Sequence, residues 1–178
     1  MAELPWQLFR FCPRCGTARA DPAGREPTFG CDRCDLHYFF NPAIAVAALI
    51  LRDDGRGLFI RRAKDPEKGK LALVGGFVDV GEPAEQALRR EVREEVRLEL
   101  GPLRFLSSNP NDYEYRGVIY PVVDVFFVAQ AEEPGRAAAL DGVASFSWED
   151  PARVDLDSMA FASMRDALER FRRGGRQR

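Results

Sequence analysis

Apolar residues fall into patterns of different period along the chain, and each period predicts a different element. Ala43 to Arg52 is apolar almost without interruption, as in a strand buried on both faces. Asp53-Asp54-Gly55 forms a turn, and Gly57 to Arg61 returns as the second arm of a hairpin. A polar loop, Lys64 to Lys70, precedes a short strand, Leu71 to Val74, that leads into a predicted Gly75-Gly76 turn. The period then changes. Ala84, Leu88, Val92 and Val96 form one stripe at helical spacing, so a helix is predicted from Pro83, a favoured first position, to Val96. Leu98 to Ser107, Tyr120 to Ala131 and Val143 to Trp148 read as further strands, the first two separated by a long loop, Ser108 to Gly117. Ser158 to Arg173 reads as an amphipathic helix, and the tail from Gly174 onward as disordered. Mixed strands with a helix on each side predict an α/β/α sandwich, preceded by a small module that ends at Asn41-Pro42.

The polar residues of the Pro83–Val96 helix change this picture more than the apolar ones do. At 100° per residue, Glu91, Glu94 and Glu95 share a sector roughly 100° wide beside the apolar stripe, while Gln86, Arg89, Arg93 and Arg97 face away. A charge run is usually a solvated, salt-bridged face. These carboxylates instead lie at the edge of the buried face. Like charges about 4 Å apart repel by about 4 kcal/mol at an intermediate dielectric, against roughly 0.2–0.5 kcal/mol from a helical ion pair. Such a cluster calls for a cation.

Gly76, Glu82, Arg90, Glu91, Val92, Glu94, Glu95 and Leu98 stand at the spacing G-x5-E-x7-R-E-U-x-E-E-x-G-U, U being aliphatic. This resembles the Nudix box, with one departure: Arg97 occupies the glycine position near the helix end. The resemblance covers about residues 43–173 and implies a Nudix fold and a magnesium- or manganese-dependent hydrolase of diphosphate bonds. It implies Glu91, Glu94, Glu95 and the Gly76 carbonyl as metal ligands. Glu94 is the first choice as ligand or general base, Arg90 orients the cluster, and Glu82 is the partner of Arg90. Glu149, from a late loop, is a further candidate for activating water.

All four cysteines fall in one pattern, Cys12-x2-Cys15-x15-Cys31-x2-Cys34, the spacing of a zinc ribbon. Two disulfides in an exported protein are the alternative. No secretory leader precedes the cysteines, so reduced thiolates around a structural zinc ion are expected. A module of residues 1–40 buries too little apolar surface to fold unaided, and zinc supplies what is missing. His37, the only histidine, is expected to have a solvent or packing role because four thiolates already complete the site.

Composition sets the remaining bounds. Hydrophobic residues make up 46% of 178, charged residues 30%, and the net charge is −2, as in a globular protein without a footprint for non-specific nucleic-acid binding. No apolar run reaches the roughly 20 residues of a membrane span. We expect a cytoplasmic homodimer of two parts, a zinc ribbon over 1–40 and a Nudix domain over 41–178, acting on a small nucleotide with neither membrane nor nucleic acid as partner.

Ribbon and box together resemble the zinc-ribbon Nudix hydrolases. Phe11 to Gly16, Asn41-Pro42 and Asp157 to Ser163 are most similar to the FAD/ADP-ribose pyrophosphatases. NADH pyrophosphatases carry an S-Q-P-W-P-F-P type motif after the box, where this chain has Ser107-Ser108-Asn109-Pro110-Asn111-Asp112-Tyr113. The resemblance therefore implies FAD or ADP-ribose as substrate and a nucleoside monophosphate as product, with NADH pyrophosphatase as the alternative. Tyr113 and Tyr115 are candidates to stack on a nucleobase, or else cover the core edge. A degenerate nucleotide sensor whose ribbon binds nucleic acid is the reading from another class. Such regulators lose box glutamates, and this chain keeps them all.

Overall fold

The computed structural model describes residues 2–21 and 24–174. The tail expected to be disordered and the Pro22 end of the N-terminal loop lie outside the described residues, apart from Gly174. The chain divides into two compact units, Met1–Ala43 with Asp112–Pro121, and Ile44–Asn111 with Val122–Arg178.

The first unit has a short helix, α1 (Pro5–Leu8), and an antiparallel hairpin of β1 (Thr28–Cys31) and β2 (Leu36–Phe39). Side chains alternate across the strands, so Phe29 and Cys31 point inward and His37 and Phe39 outward. Buried Phe29, Cys12 and Cys31 form a small core, with Phe9, Leu36 and Phe40 packed on it. The segment around Gly117 joins by backbone: Glu3 N–H donates to Gly117 O at 2.9 Å, and Ile119 N–H to Glu3 O at 2.9 Å.

The second unit is built on one sheet, two of whose strands run on into the Asp112–Pro121 segment counted with the first unit. Its strands are β3 (Ala43–Leu51), β4 (Gly57–Arg62), β5 (Leu71–Ala72), β6 (Val74–Phe77), β7 (Arg104–Tyr115), β8 (Val118–Gln130) and β9 (Val143–Glu149). They run in the order β5-β4-β3-β8-β7, with β6 paired to β3 and β9 to β4. A parallel bridge from Leu71 to Met159 beside the antiparallel pairs makes the pattern mixed. The continuous apolar run is the buried strand β3, in which Val46 to Ile50 are all covered. Two helices complete the unit, α2 (Ala84–Val96) and α3 (Ala162–Gly174). Helix α2 buries Ala87, Leu88, Val92 and Val96, the stripe expected from its period apart from its first member.

Three expectations need correction. Ser108 to Gly117 is not a loop: β7 and β8 continue through it as a hairpin turning at Arg116-Gly117. Ser107, Asn109, Asn111 and Tyr113 are partly buried while Ser108, Pro110, Asp112 and Glu114 are exposed, so the strand period is present but carried by polar residues. Pro110 is tolerated because β7 is an edge strand. Gly75 and Gly76 are not in a turn but in β6, paired with Ala47 and Val46. Finally, α3 begins at Ala162 and not at Ser158. Asp155 Oδ1 accepts the Asp157 N–H at 3.1 Å in a separate turn, and Ala160 N–H donates to Leu71 O at 2.7 Å, holding Met159-Ala160 extended along β5.

Helix α2 ends on Arg97 with φ 58° and ψ 32°, the left-handed conformation that the box normally gives to glycine. A side chain there costs about 1 kcal/mol. Arg97→Gly should therefore raise stability by about 0.5–1 kcal/mol in urea unfolding, with activity unchanged.

Candidate functional site

The turn between β6 and α2 brings one arginine to the centre of the carboxylates. Arg90 Nε and Nη2 donate to the two oxygens of Glu82 at 3.1 and 3.0 Å, a bidentate pair. Arg90 Nη1 donates to Glu91 Oε1 at 2.7 Å and Glu94 Oε2 at 3.2 Å, and Nη2 to Phe77 O at 3.1 Å. One side chain thus ties the turn to two consecutive faces of the helix. The hydrogen bonds from Arg90 hold the Glu82 carboxyl below its ordinary range, and Glu82 in turn pushes the Arg90 pKa up.

Glu91 and Glu95 sit deeper. Burial raises the Glu91 pKa, opposed by Arg90, and burial pushes Glu95 up to about 8. Glu95 Oε2 accepts the Gly75 N–H at 3.2 Å, and among the described residues no guanidinium or ammonium hydrogen-bonds it. The backbone of β6 is pressed close: a Cβ on Gly76 would stand 2.5 Å from Glu91 Cδ. Glycine at this position leaves the Glu91 carboxylate room beside the strand. Glu94 is more open, its side chain 55% exposed.

Two further segments close around Glu95, and neither carries a signal of its own in the sequence. Leu140 N–H donates to Glu95 O at 2.9 Å, and a Cβ on Gly142 would stand 3.7 Å from Glu95 Oε1. Ala63 N–H donates to Gly142 O at 2.8 Å, and Lys64 Nζ pairs with Asp141 Oδ1 at 2.6 Å. The hydrogen bond to Asp141 raises the Lys64 pKa, and the charge of Glu95 adds to it. Glu149 lies elsewhere. It pairs with Gly57 at the far end of β9 from Val143, about 20 Å along the strand, and accepts the Ser147 hydroxyl at 2.6 Å.

The four cysteines form a second cluster, in the first unit. Their sulfurs lie within 4.8 Å of one another, with Cys12–Cys34 and Cys15–Cys31 each at 3.6 Å. A disulfide needs about 2.05 Å. A tetrahedron of four thiolates around zinc has sulfurs about 3.8 Å apart. The hydrogen bond between Cys15 and Thr17 pulls the Cys15 thiol down to about 6, while burial and its neighbouring thiols push Cys34 up to about 12. His37 stands outside the cluster, exposed and 3.5 Å from Asp35. Tyr113 and Tyr115 fall in the unit of the cysteines, Tyr115 exposed with the Arg116 guanidinium 5.2 Å over its ring.

The model of the family described as NUDIX domain matches residues 41–171. The chain belongs to the Nudix hydrolase family. The NAD-capped RNA hydrolase NudC of Pseudomonas aeruginosa is 34% identical over 99 residues, 56% of this chain and 34% of that protein. NudC of Edwardsiella ictaluri is 35% identical over 111 residues, 62% of this chain and 41% of that protein. The chain thus aligns with little more than a third of the length of these relatives. A MutT NUDIX hydrolase from Burkholderia pseudomallei superposes with a TM-score of 0.62 at 28% identity, covering 73% of this chain and 98% of that one. A NUDIX hydrolase from Nitrosomonas europaea shares the fold over 91% of this chain and 89% of its own, with a TM-score of 0.66 at 21% identity. Helix α2 lies within the matched residues. No helix among the described residues is long and apolar enough to cross a membrane.

Proposed function

We propose that the chain hydrolyses the diphosphate bond of a nucleoside diphosphate linked to another moiety, by in-line attack of water that releases a nucleoside monophosphate. The observation that carries this reading is Glu95, a partly buried carboxyl beside Glu91 with one backbone N–H as its hydrogen-bond partner. An ionised pair there is satisfied by a hard cation held by oxygen ligands. Glu91, Glu95, the Gly76 carbonyl and Glu94 would hold magnesium or manganese. When bound, the metal neutralises phosphate oxygens and lowers the pKa of the attacking water. Arg90 keeps Glu91 and Glu94 aimed at it, and the more exposed Glu94 is placed to accept the proton of the water.

The other half of the substrate has two candidates. The curated relatives are named for NAD-capped RNA, which favours a nicotinamide dinucleotide, free or at the end of an RNA. Ser107 to Tyr113 lacks the corresponding motif, which favours FAD or ADP-ribose. NAD(H), NAD-capped RNA, FAD, ADP-ribose and nucleoside triphosphates, compared by kcat/KM with Mg2+ and Mn2+, separate these readings. A preference for triphosphates, or hydrolysis of none, overturns the proposal.

We infer further that Cys12, Cys15, Cys31 and Cys34 hold one structural zinc ion, with no open position for chemistry. Elemental analysis should find about one zinc per chain, retained on dialysis and lost in Cys31→Ser. Removing zinc should lower activity less than removing magnesium. An inactive zinc-free protein with a folded Nudix domain would show that the zinc does more than hold structure.

A further inference from the structure

Five carboxylates gather at the proposed metal site, Asp79, Glu82, Glu91, Glu94 and Glu95, and a diphosphate brought there adds more negative charge. Arg90 is not available to meet it. A guanidinium has five N–H donors, and those of Arg90 serve Glu82 twice, Glu91, Glu94 and the Phe77 carbonyl. Other arginines of this unit have partners of their own. Arg62 Nε donates to Pro66 O at 2.8 Å with its guanidinium 5.2 Å over the Phe161 ring, Arg89 donates to the carbonyls of Leu100 and Gly101, and Arg93 pairs with Glu99 at 2.6 Å.

Lys64 differs from all of these. Its backbone neighbour Ala63 is bonded to Gly142, which borders Glu95, so the side chain starts from the wall of the site. Its ion-pair partner, Asp141, has a side chain 81% exposed, and the Lys64 side chain is 66% exposed. A pair so open is screened by water and is exchanged at little cost. A phosphate oxygen offers the ammonium a charge-assisted hydrogen bond at least as strong.

We propose that Lys64 binds the diphosphate of the substrate at the Glu95 end of the site, leaving Asp141, its partner in the free protein, to do so. This rests on the diphosphate hydrolase reading. Asp141 is then a competitor for the ammonium in the free protein and not a support for it.

The two substitutions therefore act in opposite directions. Lys64→Ala should raise KM about tenfold with kcat nearly unchanged, because the contact is made in ground and transition states alike. Lys64→Arg should keep most of the affinity. Asp141→Asn frees the ammonium and should lower KM or leave it as it was. A lysine that merely latched the two segments together would give the same KM rise in Asp141→Asn as in Lys64→Ala, and that result overturns the proposal. Titration calorimetry with inorganic pyrophosphate and Mg2+ supplies a readout that needs no turnover. Lys64→Ala should weaken this binding about tenfold relative to the parent protein. Equal binding in parent and Lys64→Ala overturns the role of Lys64 while leaving the hydrolase intact. A parent that binds pyrophosphate but hydrolyses nothing overturns the hydrolase and leaves the anion contact standing.

Discussion

Glu95→Gln should reduce turnover by about a hundredfold or more with the fold retained, because a ligand to a catalytic metal matters at least as much as the groups that orient it. Glutamine keeps the volume of the side chain and an oxygen to accept the Gly75 N–H, now 3.2 Å from Glu95. Burial holds the Glu95 carboxyl at about 8, so the metal-free protein already carries it largely protonated near neutrality, and the amide copies that neutral form. What the amide cannot do is become an anion when a cation arrives. Circular dichroism and the metal-free melting temperature should match the parent, while the rise in melting temperature with Mg2+ should shrink or vanish. Residual turnover above a tenth of the parent would remove Glu95 from the chemistry. Glu94→Gln should show a similar loss of turnover, but as a more exposed residue it should perturb metal-induced stabilisation less.

The box and its helix were legible in the sequence because their information is local. The apolar period placed α2 to within a residue, and the angular sector put Glu91 and Glu95 at the edge of the buried face, where the structure has them partly buried, with Glu94 more open. The C-x2-C pairs were legible for the same reason: each pair is one tight turn, and the sulfurs of both pairs meet within 4.8 Å. Strand β3 announced itself by an uninterrupted apolar run, β4 by its place as the return arm of a hairpin, and the strand expected at Val143 to Trp148 is β9.

What escaped is what depends on pairing between distant segments. The hairpin of β7 and β8 has its alternation written in Ser, Asn and Tyr, residues that a count of apolar positions treats as loop. Lys64 and Asp141 are 77 residues apart and carry no motif, yet the register of β4 on β9 brings their loops together beside Glu95. Glu149 is a candidate late-loop acid only by family resemblance, and the same register carries it to the opposite end of β9. Two successive glycines usually make a turn, whereas Gly75 and Gly76 are each dictated by how closely something else approaches a strand.

That distinction gives the two glycines different fates on substitution. A Cβ on Gly75 would stand 2.0 Å from the Val46 carbonyl oxygen and 2.6 Å from Ala47 Cα, and the residue has φ 154°. Both obstacles are backbone of β3, the buried centre of the sheet, and cannot move without breaking the β3–β6 pairing. Gly75→Ala should therefore cost about 3–5 kcal/mol, at the exceptional end for a single change, or abolish folding of the Nudix domain. At Gly76 the obstacle is the Glu91 carboxylate, 2.5–2.6 Å from the added atom, and this is the far end of a side chain that can swing aside. Gly76→Ala should fold with a loss of about 1–2 kcal/mol but displace a proposed metal ligand and lower kcat by about tenfold or more. Chemical denaturation and steady-state kinetics on the two alanine variants test the pair together. Equal stability losses at the two positions would show that Glu91 is fixed as firmly as the backbone, and a fully active Gly76→Ala would show that its carboxylate need not lie against β6 for the reaction to proceed.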